Sequence, residues 1–435
     1  MPQDTESAAG TGTPRVKVPQ RDQIEFRACC WNDLLPHDHQ ARIVWQYVRG
    51  LDLSPLYQRI QAVERHPGQP AIDPRILFAL WLYATLRGIG SARELARRCA
   101  RETGELTFQW ICGGVSVNHH TLSDFRVQHV ELLDATLTNS VAVLMQEGLV
   151  TLDRVAQDGM KVRASAGAAS FHRRATLEEH LEQAHQQIEV LKTELEADPA
   201  AANRRQQASQ QRAARERAER LTRALGQLDD IERHKKAGEK EKARASTTDP
   251  EARVMKMADG GFRPAYNVQL ATDTPTQVIT GVDVVNSGGD YGKLAPMVQQ
   301  HEQRYEQPPD AMLVDGGFAK KEDIEQVSPP VGETKVYAPV QKSKKEDVDP
   351  HTPREQDSVA VAEWRMRMAT PEAQEIYKER AATAECVNAI ARNRGLYQVR
   401  VRGAPKVLAV VLWYVLAHNL MRAATLRAEQ EIERK

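Results

Sequence analysis

The sequence predicts an α/β protein with an all-α N-terminal region and an inserted pair of long helices. Three changes of pattern predict this. Apolar residues follow a helical period in the first third, a heptad period in the middle, and then a strand period of two, as in "RPAYNVQLATD". The 435 residues can hold two or three such units, and 59 Lys and Arg against 59 Asp and Glu identify no partner by net charge.

Residues 24–148 are predicted to form a bundle of short helices, after a flexible tail over residues 1–23. Capping residues mark the helix starts. Asp73, for example, precedes an apolar run that opens with proline. A last, long helix is expected to begin at Thr121 or Ser123 and to run to the end of this region.

A group of arginines lies on one predicted helix of this bundle, which is expected to end at Gly104: Arg93, Arg97, Arg98 and Arg101. Short helices with clustered basic side chains favour a DNA-binding bundle, since phosphates are the partners that such side chains select. The same arginines also suit a solvated helix face. We expect residues 24–148 to be a DNA-binding domain.

Residues 173–245 show a heptad pattern in two arms around the break "ADPAAAN". The spacing of 4, 3, 4, 3 predicts an antiparallel helical hairpin, with a parallel dimer as the alternative. The second arm is rich in arginine, which suits either a phosphate contact or a solvated helix. The predicted seam residues are Leu177, Leu181, Ala184, Ile188, Leu191 and Leu195, then Ala214, Ala218, Leu221, Leu225 and Leu228.

Two aspartates have matching contexts. Asp158 and Asp315 each follow a short apolar run and precede glycine, so each is expected at the end of a strand. If the strands are neighbours, two like charges come close, which is unfavourable unless a cation bridges them. Carboxylate oxygens suit Mg²⁺ or Mn²⁺. Taken alone, each aspartate is better explained as a residue that ends a strand and caps the next turn, and only the matching pair favours a metal site.

A third carboxylate comes from the helix predicted around "PEAQEIYKERAATAECVNAIARNRGL". At about 100° per residue, with Tyr377 at zero, Arg380 lies at about −60°, Glu385 at about +80° and Arg392 at about +60°. Glu379 falls on the opposite side and is expected in solvent. A helix face with a phenol, two guanidiniums and a carboxylate is costly to bury as plain core, and it suits a phosphate and a metal.

Taken together, these motifs resemble the Asp-Asp-Glu centre of bacterial insertion-sequence transposases. The helical residues resemble the Tyr-Arg-Glu-Lys signature, and the chain is most similar to insertion-sequence group eleven-eighty-two. "NHHTLSDFR", "VAQDGMKVRASA" and "VDGGFAKKEDI" carry the rest of the resemblance. Two departures stand out: Arg392 replaces the usual Lys, and Arg380 and Glu385 are one residue further apart than in the commonest form.

The resemblance implies a ribonuclease-H-like catalytic core with a mixed five-stranded sheet, over residues 149–172 and 246–430, interrupted by the coiled-coil insertion over 173–245. It implies two ions of Mg²⁺ or Mn²⁺, held by Asp158, Asp315 and Glu385, that support DNA cleavage and strand transfer. It further implies that Arg380 and Arg392 position DNA phosphates and that Tyr377 touches the DNA strand.

The implied partners are double-stranded DNA, as terminal inverted repeats and as target, and a second copy of the chain in a homodimer. Two alternatives remain: a ribonuclease-H-like nuclease without strand transfer, and an inactive coiled-coil DNA-binding protein. The five cysteines show no metal-binding or disulfide spacing. The most apolar run, residues 407–421, is shorter than a membrane span. We therefore expect a cytoplasmic, nucleoid-associated protein with no membrane partner.

Overall fold

A computed structural model describes residues 30–62, 69–197, 204–342 and 349–434. The predicted tail, 1–23, lies outside these residues. The helices are α1 Gln40–Gly50, α2 Ser54–Tyr57, α3 Pro74–Leu86, α4 Ala92–Arg98, α5 Leu106–Cys112, α6 His119–Gln128, α7 Val130–Gln146, α8 Arg174–Ala197, α9 Arg204–His234, α10 Leu294–Tyr305, α11 Lys321–Val327, α12 Val359–Met368, α13 Pro371–Arg380, α14 Cys386–Asn393 and α15 Ala404–Glu433. The strands are β1 Val155–Arg163, β2 Phe171–His172, β3 Ala245–Ser246, β4 Arg253–Lys256, β5 Phe262–Asp273, β6 Ile279–Val285, β7 Ala311–Leu313 and β8 Lys335–Tyr337.

The central sheet is mixed and has six strands in the described chain, not the five predicted. Its order is β6-β5-β1-β7-β8, with β1 antiparallel to β5 and parallel to β7. The sixth strand, β4, pairs with the first residues of β5. It lies on the same side of β5 as β6, which pairs with the later residues of β5. The five positions across the sheet and their directions are compatible with a ribonuclease-H-like core.

The long helix α15 lies at the centre of the hydrophobic core. Its Trp413 ring contacts the Phe78 ring of α3 edge to face, with centroids 4.7 Å apart. On another side, its Asn419 donates a hydrogen bond to the carbonyl of Ile279 in β6 and accepts one from the same residue's N–H. The N-terminal helices and the sheet therefore share one continuous core.

Helix α15 also corrects the expectation that the apolar run is too short to span a membrane. By length and composition, the whole helix is apolar enough to do so. However, 78% of its most apolar window is buried inside the protein. The buried polar residues His418 and Asn419 bond to the β5–β6 hairpin, as in the core helix of a folded domain.

The N-terminal region is helical from α1 to α7. Asp73 caps α3 as predicted, since its side chain accepts a hydrogen bond from the Arg75 N–H. The single long helix expected from Thr121 or Ser123 is instead two helices, α6 and α7, divided at His129. Asn118 is the N-cap of α6, because its amide oxygen accepts the Thr121 N–H.

The heptad arms form α8 and α9, which pack against each other within one chain. Arg174, at the start of α8, pairs with Glu232, near the end of α9, at 2.8 Å, so the two helices are antiparallel. Leu177, Ala184, Leu221 and Leu228 are buried between them. The short strands β2 and β3 pair at the base, where the hairpin leaves the sheet. The side chain of the predicted seam residue Leu195 and the break at 198–203 lie outside what the structure describes.

Candidate active site

Asp158 lies on β1, and Asp315 follows the end of the adjacent parallel strand β7 by two residues. The last registered pair between β1 and β7 is Ala156 with Leu313, and each aspartate follows two residues later. The register therefore places both aspartates at the same level of the sheet. One expectation was wrong: Asp158 is in the middle of β1, not at its end, because Met160 and Val162 continue the buried face beyond Gly159.

Burial raises the pKa of Asp158, and the negative charges of Asp315 and Asp290 raise it further, while Arg380 lowers it. Its Oδ1 accepts the N–H of Gly159 at 2.9 Å. Its Oδ2 accepts a hydrogen bond from Asn388 Nδ2 at 2.8 Å. Asp158 is thus a partly desolvated carboxylate among other acids, held in one orientation by a neighbouring helix.

Sequence reasoning missed Asn388. It is 3% exposed, lies on α14, and its own Oδ1 has no hydrogen-bond partner in the described chain. The available signal was its position three residues after Glu385, on the same side of the helix. A buried amide at that spacing needs a polar partner, and the partner is Asp158.

A π-helical turn, Ala381–Glu385, joins α13 to α14. Such a turn closes i→i+5 hydrogen bonds and so takes up about one residue more than an α-helical turn. Relative to an unbroken α-helix, Glu385 moves back by about 100°, to about −20° from Tyr377. By the same correction Arg392 lies at about −40°. The π-helical turn therefore reduces the angle between Arg380 and the other side chains of the predicted face.

Arg380 lies between two of the carboxylates. Its Nη2 is 3.8 Å from Asp315 Oδ2, and its Nη1 is 4.0 Å from Glu385 Oε1. The Arg380 side chain is only 12% exposed, and its Nε is buried without a partner. The guanidinium therefore offsets the repulsion among the acids that surround it.

The three carboxylates do not meet at ligand distance in this arrangement. The Glu385 side chain is 68% exposed and faces the Arg380 guanidinium, whereas we expected it to point directly at the aspartates. Among the residues that the structure describes, no three acidic, histidine or cysteine side chains converge closely enough to hold a metal ion. The donor atoms themselves, carboxylate oxygens, are those that Mg²⁺ and Mn²⁺ prefer.

Tyr377 is half-buried beside this cluster. Burial raises its pKa most; the charges of Asp315, Asp158 and Glu385 raise it as well, while Arg380 lowers it. The phenol therefore stays protonated and can donate a hydrogen bond at neutral pH. Arg392 is exposed about two turns after Glu385 along the same helical segment.

Glu379 is not solvated as expected. Its Oε2 accepts a hydrogen bond from Thr274 Oγ1 at 2.9 Å and lies 3.2 Å from Arg154 Nε. These contacts join α13 to the residues beside β1 and β5. Glu379 therefore has a structural role, and its contacts are compatible with the expectation that it points away from the face of Tyr377.

Gly159 is required by a polar network on the opposite face of β1. A Cβ at this position would be 2.2 Å from Asp290 Oδ1 and 2.6 Å from Gln269 Nε2. Asn267 and Gln269 both donate to Asp290 Oδ1 at 2.7 Å. The glycine after Asp158 therefore lets the Asp290 carboxylate approach β1, and the sequence analysis did not identify this acid.

The four N-terminal arginines differ in their surroundings. Arg93, Arg97 and Arg101 are exposed. Arg98 is half-buried and donates to Glu94 at 2.7 Å, and it also contacts Glu105. Its charge is already offset by two acids, so it is less available to a DNA phosphate than the other three.

Comparison with known families identifies two regions of the chain. Residues 29–128 match the family described as transposase domain (DUF772), and residues 341–424 match the transposase DDE domain. The second match contains Tyr377, Arg380 and Glu385 but neither aspartate. No curated protein and no solved structure matches the chain. The chain thus carries one transposase domain and one DDE transposase domain, and these two matches support the function of a DNA transposase, an enzyme of DNA cleavage and strand transfer.

Proposed function

We propose that Asp158, Asp315 and Glu385 are the catalytic carboxylates of this transposase. The observation that supports the assignment is the position of Arg380, which contacts both Asp315 and Glu385 while Asp158 lies in register with Asp315. Burial and the charge of Asp315 raise the pKa of Asp158, and a carboxylate perturbed in this way beside other acids is typical of a functional site. The π-helical turn accounts for the extra residue between Arg380 and Glu385, and so supports membership of the Tyr-Arg-Glu-Lys group eleven-eighty-two.

These residues would hold two ions of Mg²⁺ or Mn²⁺. Bound there, the ions would activate the attacking oxygen and stabilise the leaving oxygen of an in-line displacement at phosphorus. Coordination requires Glu385 to turn from Arg380 toward the aspartates. Asn388 keeps Asp158 Oδ2 in a fixed direction while this happens.

The basic side chains of the site would position the DNA. Once the carboxylates bind cations, Arg380 is free to contact the phosphate that reacts, and Arg392 would bind a phosphate further along the strand. Tyr377 would donate its hydroxyl to the same strand. Arg392 in place of the usual Lys offers a planar fork of donors instead of a point charge.

We assign recognition of the element's ends to residues 24–148, through the exposed Arg93, Arg97 and Arg101, with Arg98 supporting the loop. Residues 149–172 and 246–430 would be the catalytic domain and 173–245 its insertion. Because an insertion sequence has two ends, a homodimer with one chain at each end is the assembly we propose.

The experiment uses the full chain and a plasmid that carries the genomic DNA flanking both sides of the gene. In Mg²⁺, the wild type is expected to expose 3′-hydroxyl ends at inverted repeats and to join them to a second DNA. Asp158→Asn and Asp315→Asn should remove both products while DNA binding, measured by mobility shift, is retained.

Asp283→Asn is the matched control, since Asp283 is a half-buried aspartate on β6 of the same sheet. It should cleave and join like the wild type. Cleavage by Asp158→Asn or Asp315→Asn would refute the assignment of the carboxylates. Cleavage without joining by the wild type would instead indicate a nuclease.

A further inference from the structure

A polar cavity of about 310 Å³ lies apart from the carboxylates. Four segments line it: the turn after α3, helix α6, the residues after α14, and α15. Its volume is near the lower end of the range of about 300–1,000 Å³ that is common for small-ligand sites. None of the lining residues is acidic.

Arg126, on α6, is a buried residue that lines this cavity. It is 8% exposed, its Nη1 donates to the Gly90 carbonyl at 2.7 Å, and its guanidinium carbon is 4.6 Å from the Trp81 ring centroid. Its Nε is buried with no partner, and no carboxylate of the described chain forms an ion pair with it. Burial lowers the pKa of Arg126 to about 10, so it is still charged at neutral pH.

A buried guanidinium with no counter-ion is costly, because water solvation is lost and no negative charge replaces it. The cavity adds a second positive charge. Arg400 also lines it, and its charge contributes to the lowered pKa of Arg126. Two guanidiniums therefore line one polar cavity whose lining includes no acid, and this arrangement of charge favours an anionic ligand.

The cavity walls leave room for a compact anion. Gly88 and Gly395 have φ of +68° and +93°, which side chains rarely adopt, and a Cβ on Gly395 would be 3.2 Å from the Tyr414 hydroxyl. Both turns therefore present backbone only. Tyr414 directs its own hydroxyl to the carbonyl of Arg394 at 2.8 Å, which closes the wall behind them.

The cavity is linked to the catalytic strand. The Arg163 N–H at the end of β1 donates to the Tyr397 carbonyl at 3.0 Å, and the Val399 N–H donates to the Arg163 carbonyl at 2.9 Å. Tyr397 lines the cavity. Asp158 is five residues back along β1, about 17 Å at the usual rise per strand residue.

We propose that this cavity is a phosphate-binding site in which Arg126 and Arg400 supply the positive charge. Guanidinium groups bind phosphate through paired, charge-assisted hydrogen bonds, and phosphate provides enough acceptors for both side chains. The phosphate is either that of a DNA strand that continues from the active site or a free phosphate. The proposal does not depend on the assignment of the three carboxylates.

The first experiment measures the melting temperature of the full chain in inorganic phosphate and in chloride at equal ionic strength. Binding to the folded state should raise the melting temperature by about 1–2 °C when phosphate is roughly tenfold above its Kd. Arg400→Gln should lose at least half of this shift, because Arg400 is exposed and its replacement leaves the core intact. Lys335→Gln, an exposed cation on β8, is the control and should keep the full shift.

Arg126→Gln should lose the whole shift; if this variant does not fold, Arg400→Gln still decides. The second experiment measures DNA binding in phosphate and in chloride. If phosphate competes more strongly than chloride with the wild type but not with Arg400→Gln, the site takes a DNA phosphate. A melting shift without competition identifies a free phosphate. Equal melting temperatures in both salts, with no effect of either variant on DNA binding, would overturn the proposal.

Discussion

Asn388 donates a hydrogen bond from Nδ2 to Asp158 Oδ2 at 2.8 Å, and this bond joins the helix that follows Glu385 to the strand that carries Asp158. The amide is buried on one side and the carboxylate is partly desolvated on the other. The bond therefore fixes the direction of one carboxylate oxygen relative to the helix.

Asn388→Ala is expected to reduce cleavage by about 10–100-fold, as is usual when the partner of a metal-binding side chain is removed. A positioning role should also raise the Mn²⁺ concentration needed for half-maximal cleavage, which a general loss of stability would not do. Asn393→Ala, at the exposed end of α14, is the control. An unchanged Mn²⁺ dependence in Asn388→Ala would contradict the role.

Glu385→Gln and Glu379→Gln are expected to behave in opposite ways. Glu385→Gln should abolish cleavage at an unchanged melting temperature, because its side chain is mostly exposed beside Arg380. Glu379→Gln should keep most activity but melt slightly lower, since it weakens a half-exposed pair with Arg154, worth about 0–1 kcal/mol. Active Glu385→Gln with inactive Glu379→Gln would refute the assignment of Glu385.

Deletion of Ala382 tests the π-helical turn. Ala381 and Ala382 are exposed, so removal of one residue should convert the turn to regular α-helix and leave Glu385 beside Arg380. Cleavage should stay near the wild-type rate. Insertion of one alanine after Ala382 should rotate Glu385 by about 100° and abolish cleavage. An inactive deletion variant with a wild-type circular dichroism spectrum would show that the turn does not set the direction of Glu385.

Asp273 gives a prediction for pH. It is 1% exposed, its Oδ1 has no partner in the described chain, and burial raises its pKa from 3.8 to about 6. The folded protein thus binds this proton more tightly than the unfolded chain, so the stabilising contribution is complete below pH 3.8 and is lost as pH rises through about 6.

Asp273→Asn removes this dependence. Thermal melting at several pH values should give similar curves for variant and wild type near pH 4, with the variant more stable above pH 6 by up to about 3 kcal/mol. The Thr276 hydroxyl, which donates to Asp273, can still donate to the amide oxygen of Asn. A constant difference between variant and wild type across this pH range would show that Asp273 does not titrate as stated.

The sequence predicts those parts of the fold and site that depend on local pattern. The apolar runs before Asp158 and Asp315 predicted a strand before each aspartate, and the two strands, β1 and β7, are neighbours in the sheet. Helical periodicity assigned Glu385 to the helix face of Tyr377 and Glu379 to the opposite side. It could not show the π-helical turn, because no residue type is specific to i→i+5 bonding and the turn depends on how α13 and α14 pack against the sheet.

Partners from distant segments could not be predicted. Asp290 reaches Gly159 from a loop far along the chain, and Asn388 reaches Asp158 across 230 positions. Strand β4 was missed because only its pairing with β5 makes a four-residue segment a strand. Glu379 was assigned to solvent because helical angles describe a face but not what packs against it.

The position of α15 couples two parts of the fold. Residues 404–433 complete the packing of both the N-terminal helices and the sheet. A chain that lacks α15 would leave Phe78 and the β5–β6 hairpin without their packing partner. Loss of this one helix is therefore expected to destabilise the N-terminal helices and the sheet together.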